Sequence, residues 1–226
     1  MIITISGLDG SGKSTVAQKL VKTLRSRGVR CKYIWMGWKP SVSYPFLGLM
    51  RLTGQTRRVK IDGKTFVIRD YRFKPLRTVW PYILFVDYVV NCVVRVRLAK
   101  LSGEHLVCDR YAYDFLAQLY EEKMCPSVLH RLALKLFPSP SVSFLFDVQE
   151  QTSWKRSIAG ERTFEQPLYN FSARRKIYLK LAQQYGMNLV DSQMSPDQMV
   201  NEILRSLPAE MNNLETPADA TTTPHV

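Results

Sequence analysis

Apolar residues along the chain follow two rhythms. Residues 1–6 (Met-Ile-Ile-Thr-Ile-Ser) form a short β-branched and apolar run that predicts a buried strand. Beyond a glycine-rich turn, Val16, Ala17, Leu20, Val21 and Leu24 recur at helical spacing between Lys13 and about Arg27, and Gly28 is a natural stop. Residues 30–36 suit a second strand. Pro75 opens a long helix running towards Ser102, because proline is tolerated in a first helical turn. Between these, residues 39–74 mix Pro, Gly and basic residues with an apolar patch from Tyr44 to Leu52, and the pattern predicts no element there.

The alternation resumes at residue 104. Strands are predicted over 104–109, 141–148 and 188–191. Helices are predicted over 111–123, 127–137, 151–158 and 171–185, and a last one is N-capped by Ser195 and ends near Leu207. Strands alternating with crossover helices specify an α/β fold with a doubly wound parallel sheet. One domain is expected over 1–207, with 208–226 as a disordered tail rich in Pro, Asn, Thr and Ala.

Composition narrows the class. At 226 residues, 46% hydrophobic and 23% charged, the chain is an ordinary globular domain. It has no uninterrupted apolar run of about 18 residues and no visible secretory signal. The scattered cysteines (Cys31, Cys92, Cys108 and Cys125) lack metal-ligand spacing and read as reduced thiols. The expected location is the cytoplasm. The net charge of +13 suggests a nucleic-acid binder, but it is concentrated. Residues 30–77 hold twelve Lys and Arg against Asp62 and Asp70, which is ten of the thirteen net charges. No nucleic-acid-binding motif accompanies them, so no nucleic-acid partner is expected.

The strongest chemical signal is Gly7-Leu8-Asp9-Gly10-Ser11-Gly12-Lys13-Ser14, which fits G-x-x-x-x-G-K-[ST] without a mismatch. It leaves a buried strand and opens a helix, so backbone N–H groups and the helix N-terminus form an anion nest. The phosphates of a bound nucleotide would lie on Gly7, Asp9, Gly10, Ser11, Gly12, Lys13, Ser14 and Thr15. Lys13 would reach the β- and γ-phosphates, and Ser14 would bind Mg²⁺. His105-Leu106-Val107-Cys108-Asp109 then sets an acid at the C-terminal end of a strand, where ligands of open α/β sheets sit. Asp109 is placed to organise Mg²⁺ through water or to orient an acceptor, and Arg110 to clamp phosphate oxygens.

The phosphate loop with Thr15, Asp109-Arg110-Tyr111, Val190-Asp191-Ser192 and Ser195-Pro196-Asp197 resemble the thymidylate kinase family. The resemblance runs over most of 1–207 and weakens in 37–80. It implies a three-layer, five-stranded parallel core of P-loop kinase type, Mg-ATP as donor, and a lid at about 155–165. Gly10 and Ser11 offer no arginine inside the phosphate loop, so the resemblance implies one from the lid, Arg162 or Arg156, close to the transferring phosphoryl. Homodimers through the long helices also follow from the resemblance, and the apolar stretch 79–94 is compatible with that.

The departures lie on the acceptor side. Trp35-Met36-Gly37-Trp38-Lys39-Pro40 stands where the family has Arg-Glu-Pro, and Val86-Asp87-Tyr88 where it has Ala-Asp-Arg. Asp114 replaces a serine, and Gln118 an aromatic residue that senses the missing 2′-hydroxyl. Tyrosine cannot replace a fixed bidentate donor. The acceptor is a nucleoside monophosphate in the family default, or a hydroxyl of a sugar, glycan or lipid-linked saccharide; a non-catalytic ATP-binding switch is the remaining reading, and intact Lys13, Ser14 and Asp109 count against it. A hydroxyl acceptor benefits from a carboxylate base, for which Asp9, Asp109 and Asp114 are candidates. Asp87, Asp114, Gln118, Arg51 and Arg77 are the acceptor-side candidates. In the basic segment 37–77, residues 43–60 join apolar to basic positions, which suits an anionic acceptor or a peripheral contact with the inner membrane surface; packing of that apolar patch on the core is the alternative.

Overall fold

A computed structural model describes residues 1–61, 64–69, 73–159 and 168–208. Five parallel strands form the central sheet in the order β2-β5-β1-β6-β7: β1 (Ile2–Gly7), β2 (Cys31–Trp35), β5 (His105–Asp109), β6 (Val142–Asp147) and β7 (Asn188–Asp191). The expected doubly wound core is therefore the observed one. Strand order reverses at β1, so the crevice beyond its C-terminal end is where this topology receives ligands.

The two-residue period of the strands decides what each face meets. Ile3 and Ile5 of β1 pack with Val107, Phe144 and Phe146 under α1 (Lys13–Ser26) and α9 (Pro196–Arg205). Ile2, Leu106, Cys108 and Leu145 face the other layer. That layer holds α3 (Lys74–Tyr88), α4 (Val94–Leu101), α5 (Ala112–Glu121), α6 (Ser127–Leu136) and α8 (Leu168–Tyr185), and α7 (Glu150–Ala159) packs on α8. Ser195 caps α9 by accepting from the Gln198 N–H while the Gln198 side chain returns to the Ser195 N–H, an arrangement worth about 1 kcal/mol.

Among its described residues, the segment that the pattern leaves unread contains three elements. These are α2 (Tyr44–Leu52) and the antiparallel pair β3 (Thr56–Ile61) and β4 (Lys64–Arg69), joined from Thr56↔Arg69 to Ile61↔Lys64. Helix α2 lacks a local side-chain cap. Its anion comes from α3: Asp87 accepts from the N–H groups of Ser41, Val42 and Ser43, from the Ser41 hydroxyl and from Trp38 Nε1, at 2.7–3.2 Å. Asn91 donates to Lys39 O and Ser41 Oγ, and at the other end of α2 the Phe73 N–H donates to Gln55 Oε1. A cap supplied 44 residues later leaves no signature in the local sequence.

The predicted long helix is present over Lys74–Leu101, with a π-helical turn at Val89–Val93 joining α3 to α4. By length and composition it suffices to cross a membrane. Trp80, Leu84, Tyr88, Cys92 and Val96 nevertheless seat one side of it in the core. The expected tail, 208–226, lies outside the described residues apart from Pro208.

Candidate active site

The phosphate loop connects β1 to α1 in the order that anion binding requires. Gly12 precedes α1 with φ 85°, no side chain caps the helix, and no acid stands in its first turn. The first-turn N–H groups are thus left for an anion. Gly10 has φ 81°, and a Cβ there would collide with the Ser153 carbonyl of α7. Ser153 Oγ in turn donates to Asp9 O. Helix α7 is thereby docked directly on the loop, a contact that nothing in the sequence around residue 153 announces.

Lys13 is buried, and its Nζ donates to Leu8 O at 2.6 Å and to Ser11 Oγ at 3.4 Å. Burial and the neighbouring Arg110 push its amino group down to about 8, against the pull of Asp9, Asp109 and Asp114. Alternation puts Asp109 on the same sheet face as Val107, and this face meets α1. Ser14 Oγ of α1 donates to Asp109 Oδ2 at 2.5 Å. Tyr33 on neighbouring β2, whose register partner is Val107, donates its hydroxyl to the same oxygen at 2.9 Å. Burial and the Asp109 charge push the Tyr33 hydroxyl up to about 12. Tyr33 was not foreseen, although the diagonal cross-strand position is the signal that locates it.

Asp109 Oδ1 is buried and has no hydrogen-bond partner. An orphan carboxylate oxygen beside a serine hydroxyl fits Mg²⁺, which keeps several waters and takes few protein ligands. Among the described residues no cluster of three acidic, His or Cys side chains offers a denser metal site.

Arg110 adopts φ 71°, a left-handed conformation that is uncommon for non-glycine residues. The turn directs its guanidinium onto Asp9, with which it forms a close ion pair. Burial favours the neutral Asp9 carboxyl, but Arg110, Lys13 and Arg174 outweigh it and hold the group well below the usual carboxylate range. Arg174 reaches in from α8, where its Nε donates to Glu121 Oε2 at 2.5 Å in a buried pair. Neither partner of that pair was foreseen.

Asp114 is engaged on every side. Its Oδ2 accepts from Ser6 Oγ at 2.7 Å and the Tyr111 N–H at 2.8 Å, its Oδ1 accepts from Tyr178 at 2.8 Å, and Arg110 stands 4.0 Å away. It ties β1, α5 and α8 together behind the phosphate loop. Asp87 is likewise occupied, as the cap of the loop before α2. Tyr88, at the position where the resemblance expects arginine, is buried against Phe115 with ring centroids 4.6 Å apart.

Asp9, Lys13, Ser14, Asp109, Arg110 and Asp114 therefore converge at the C-terminal ends of β1 and β5. Thr15 is exposed on the first turn of α1, and Gln118 donates to Glu122 at 3.4 Å on α5. Arg51 and Arg77 are exposed on α2 and α3. Arg156 donates from α7 to Ser192 O at 2.8 Å, which joins it to the strand–helix turn after β7. Arg162 lies outside the described residues, as does the part of the expected lid (about 155–165) beyond Ala159; residues 155–159 are the end of α7.

No family model matches the chain. It is 28% identical to a probable thymidylate kinase of Methanocaldococcus jannaschii over 90% of this chain and 94% of that protein. It is 27% identical to a probable thymidylate kinase of Methanosarcina barkeri, covering 91% and 95%, and 27% identical to the thymidylate kinase of Oleidesulfovibrio alaskensis, covering 90% and 95%. The structure of deoxyadenosine kinase from M. mycoides superposes with a TM-score of 0.60 at 15% identity, covering 91% of this chain and 98% of that one, and so shares its fold. In sequence along nine-tenths of its length, and in its five-stranded parallel core with a phosphate loop, the chain is thymidylate kinase-like, with the fold of the P-loop nucleotide kinases.

Proposed function

We propose that the chain is an ATP-dependent phosphotransferase that moves the γ-phosphoryl of ATP to a small acceptor held between Arg110, Asp9 and the aromatic layer of α3 and α5. The observation that carries this reading is the set Lys13, Ser14, Tyr33 and Asp109, with the orphan Asp109 oxygen beside an uncapped helix N-terminus. Mg²⁺, held by Ser14 and through water by Asp109, would neutralise phosphate charge and hold the β- and γ-oxygens in place. Lys13 would bind the phosphates, α1 would present its N–H groups, and Arg110 would orient the acceptor in line with the γ-phosphorus. One acceptor oxygen bonds to phosphorus as the bond to the ADP oxygen breaks. Arg162 or Arg156 is proposed to supply the further cation near the transferring group.

The similarity to thymidylate kinases supports a nucleoside monophosphate such as dTMP as acceptor, whose ionised phosphate needs no base. A second reading, transfer to a hydroxyl of a sugar, glycan or lipid-linked saccharide, is favoured by one set of observations. Tyr88 is buried where an arginine is expected, and Arg110 and Arg174 are each already paired with a carboxylate. In this reading a carboxylate of the site, Asp9 or Asp109, accepts the proton. Incubating the protein with Mg-ATP and a panel of nucleoside monophosphates, with ADP and diphosphate as readout, tests the first acceptor. Tight ATP binding without turnover of any of them rejects it, and ADP formation with a sugar or glycan acceptor is then the result that supports the second. Retained transfer in Lys13→Ala rejects the donor site itself.

A further inference from the structure

Helix α8 carries an arginine whose donors the phosphotransfer chemistry leaves unspent. Arg174 is 12% exposed, and its partner Glu121 on α5 is 7% exposed. Glu121 Oε2 accepts from Arg174 Nε at 2.5 Å and pairs with one of its Nη groups. A guanidinium has five N–H donors in a rigid fork. Among the described residues nothing else accepts from Arg174, so the second Nη keeps both of its donors, on a cation whose charge Glu121 already matches. Donors enclosed to this degree cost free energy when unmade, and a ligand that accepts from them recovers it. Arg174 and Tyr178 are four residues apart on α8 and so share a face. Tyr178 donates to Asp114, and Arg174 meets Glu121 seven residues beyond Asp114, two turns along the same face of α5. Gln118, where the resemblance puts the residue that senses the acceptor's 2′-hydroxyl, stands between those two acids on that face.

The guanidinium acts beyond its own helix pair. Burial raises the Asp9 carboxyl, yet Arg110, Lys13 and Arg174 together hold it low. Burial and the Cys92 thiol push the Tyr88 hydroxyl up, and Arg110 and Arg174 pull against them. Arg174 therefore stands within reach of the phosphate loop through Asp9 and of α3 through Tyr88, on the side of Arg110 where the acceptor is proposed to lie. Tyr88 occupies the position where the resemblance expects a guanidinium, and a hydroxyl cannot supply a fork. Arg174 brings one to the same space from α8. The ligand group it fits is neutral, because a second phosphate would have to be desolvated beside the buried Glu121 carboxylate.

We infer that Arg174 sets the acceptor specificity: Glu121 orients it, and its free Nη donates to a neutral oxygen on the acceptor's ring, a carbonyl of a nucleobase or a hydroxyl of a sugar. The inference rests on the phosphotransfer reading and deepens it by naming what the acceptor must present.

The test measures ADP formation by the full-length chain with Mg-ATP and acceptors that differ in the ring oxygen. One arm sets dTMP against dAMP, whose base has no carbonyl. The other sets glucose, galactose and mannose against their singly deoxygenated analogues. In the arm that the parent turns over, the oxygen-bearing acceptor should lead by roughly 30-fold in kcat/KM, the worth of a charge-assisted hydrogen bond. Turnover in the first arm assigns a base, and in the second a sugar. Arg174→Gln with Glu121→Gln leaves two amides that satisfy each other, and should remove the preference by raising KM while kcat and ATP affinity hold. Arg174→Lys keeps the charge without the fork and should lose most of the preference as well. A pin between α5 and α8 with no part in recognition would change thermal stability and leave the preference alone. A preference that survives in both variants, or that the parent never shows, overturns the inference and spares the phosphotransfer reading. Tight ATP binding without turnover in either arm leaves no acceptor for Arg174 to select and overturns both.

Discussion

Replacing Lys13 by methionine isolates what it costs to hold an ammonium inside a ligand-free anion nest. Among the described residues no carboxylate lies within ion-pair range of the amino group, which donates to Leu8 O at 2.6 Å and to Ser11 Oγ at 3.4 Å. Burial and Arg110 lower it from 10.5 to about 8. That difference corresponds to about 3 kcal/mol favouring the neutral form in the folded chain. The folded state binds fewer protons than the unfolded state between about 8 and 10.5, so stability rises with pH across this window. Below about 8 the whole penalty is present, and above 10.5 it has gone. Methionine is similar in length and carries no charge, but it forfeits the hydrogen bond to Leu8 O, worth about 1 kcal/mol. Lys13→Met should therefore be about 2 kcal/mol more stable than the parent at pH 7, even as ATP affinity collapses. Urea unfolding of both proteins from pH 7 to 10 checks this, because every other titration cancels in the difference. A second readout comes from binding. Phosphate oxygens restore the proton, so ATP binding near pH 8.5 should take up protons, seen by calorimetry in buffers of different ionisation enthalpy. A stability difference that stays flat with pH, with no proton uptake, refutes the reasoning.

Three further outcomes follow from the same network. Asp114→Ala strands Ser6 Oγ, the Tyr111 N–H and the Tyr178 hydroxyl in the interior and should cost about 3–5 kcal/mol, lowering Tm by roughly 10 °C. A loss under about 1 kcal/mol by thermal or urea unfolding would contradict its structural role. Tyr33→Phe frees Asp109 Oδ2 from one of its two donors and should raise the Mg²⁺ concentration needed for tight ATP binding about tenfold, leaving Mg-free ATP affinity unchanged; an unaltered Mg²⁺ profile in calorimetry speaks against it. Asp87→Asn weakens the anionic cap of three backbone N–H groups, so amide exchange at 41–43 should quicken about tenfold, and equal rates would show that the cap is dispensable. Burial raises the Asp87 carboxyl, but its donors at Ser43, Ser41 and Trp38 prevail and lower it, so its contribution is present above 3.8 and lost as pH falls through its lower folded value.

The sequence by itself determined the sheet, the helices that pack on it and the donor side of the site. β-Branched runs, helical spacing, Gly28 and the Ser195 cap are local signals, and a phosphate loop is a contiguous stretch whose glycines, lysine and serine need only the next strand and helix to work. The strand pattern also set Asp109 at the C-terminal end of its strand, and the structure turns it towards α1, where Ser14 meets it. The tertiary structure decided everything whose partner is remote in the chain. Helix α2 is capped by an acid on α3, α7 is locked to the phosphate loop through Ser153, and Arg174 reaches Glu121 from α8. The acceptor-side acids show the difference most plainly. Asp87 and Asp114 read as substrate ligands from their positions near familiar motifs, yet folding surrounds each with protein donors. Which partner a buried carboxylate keeps depends on the donors that packing brings within about 3 Å, and no spacing along the chain encodes that distance.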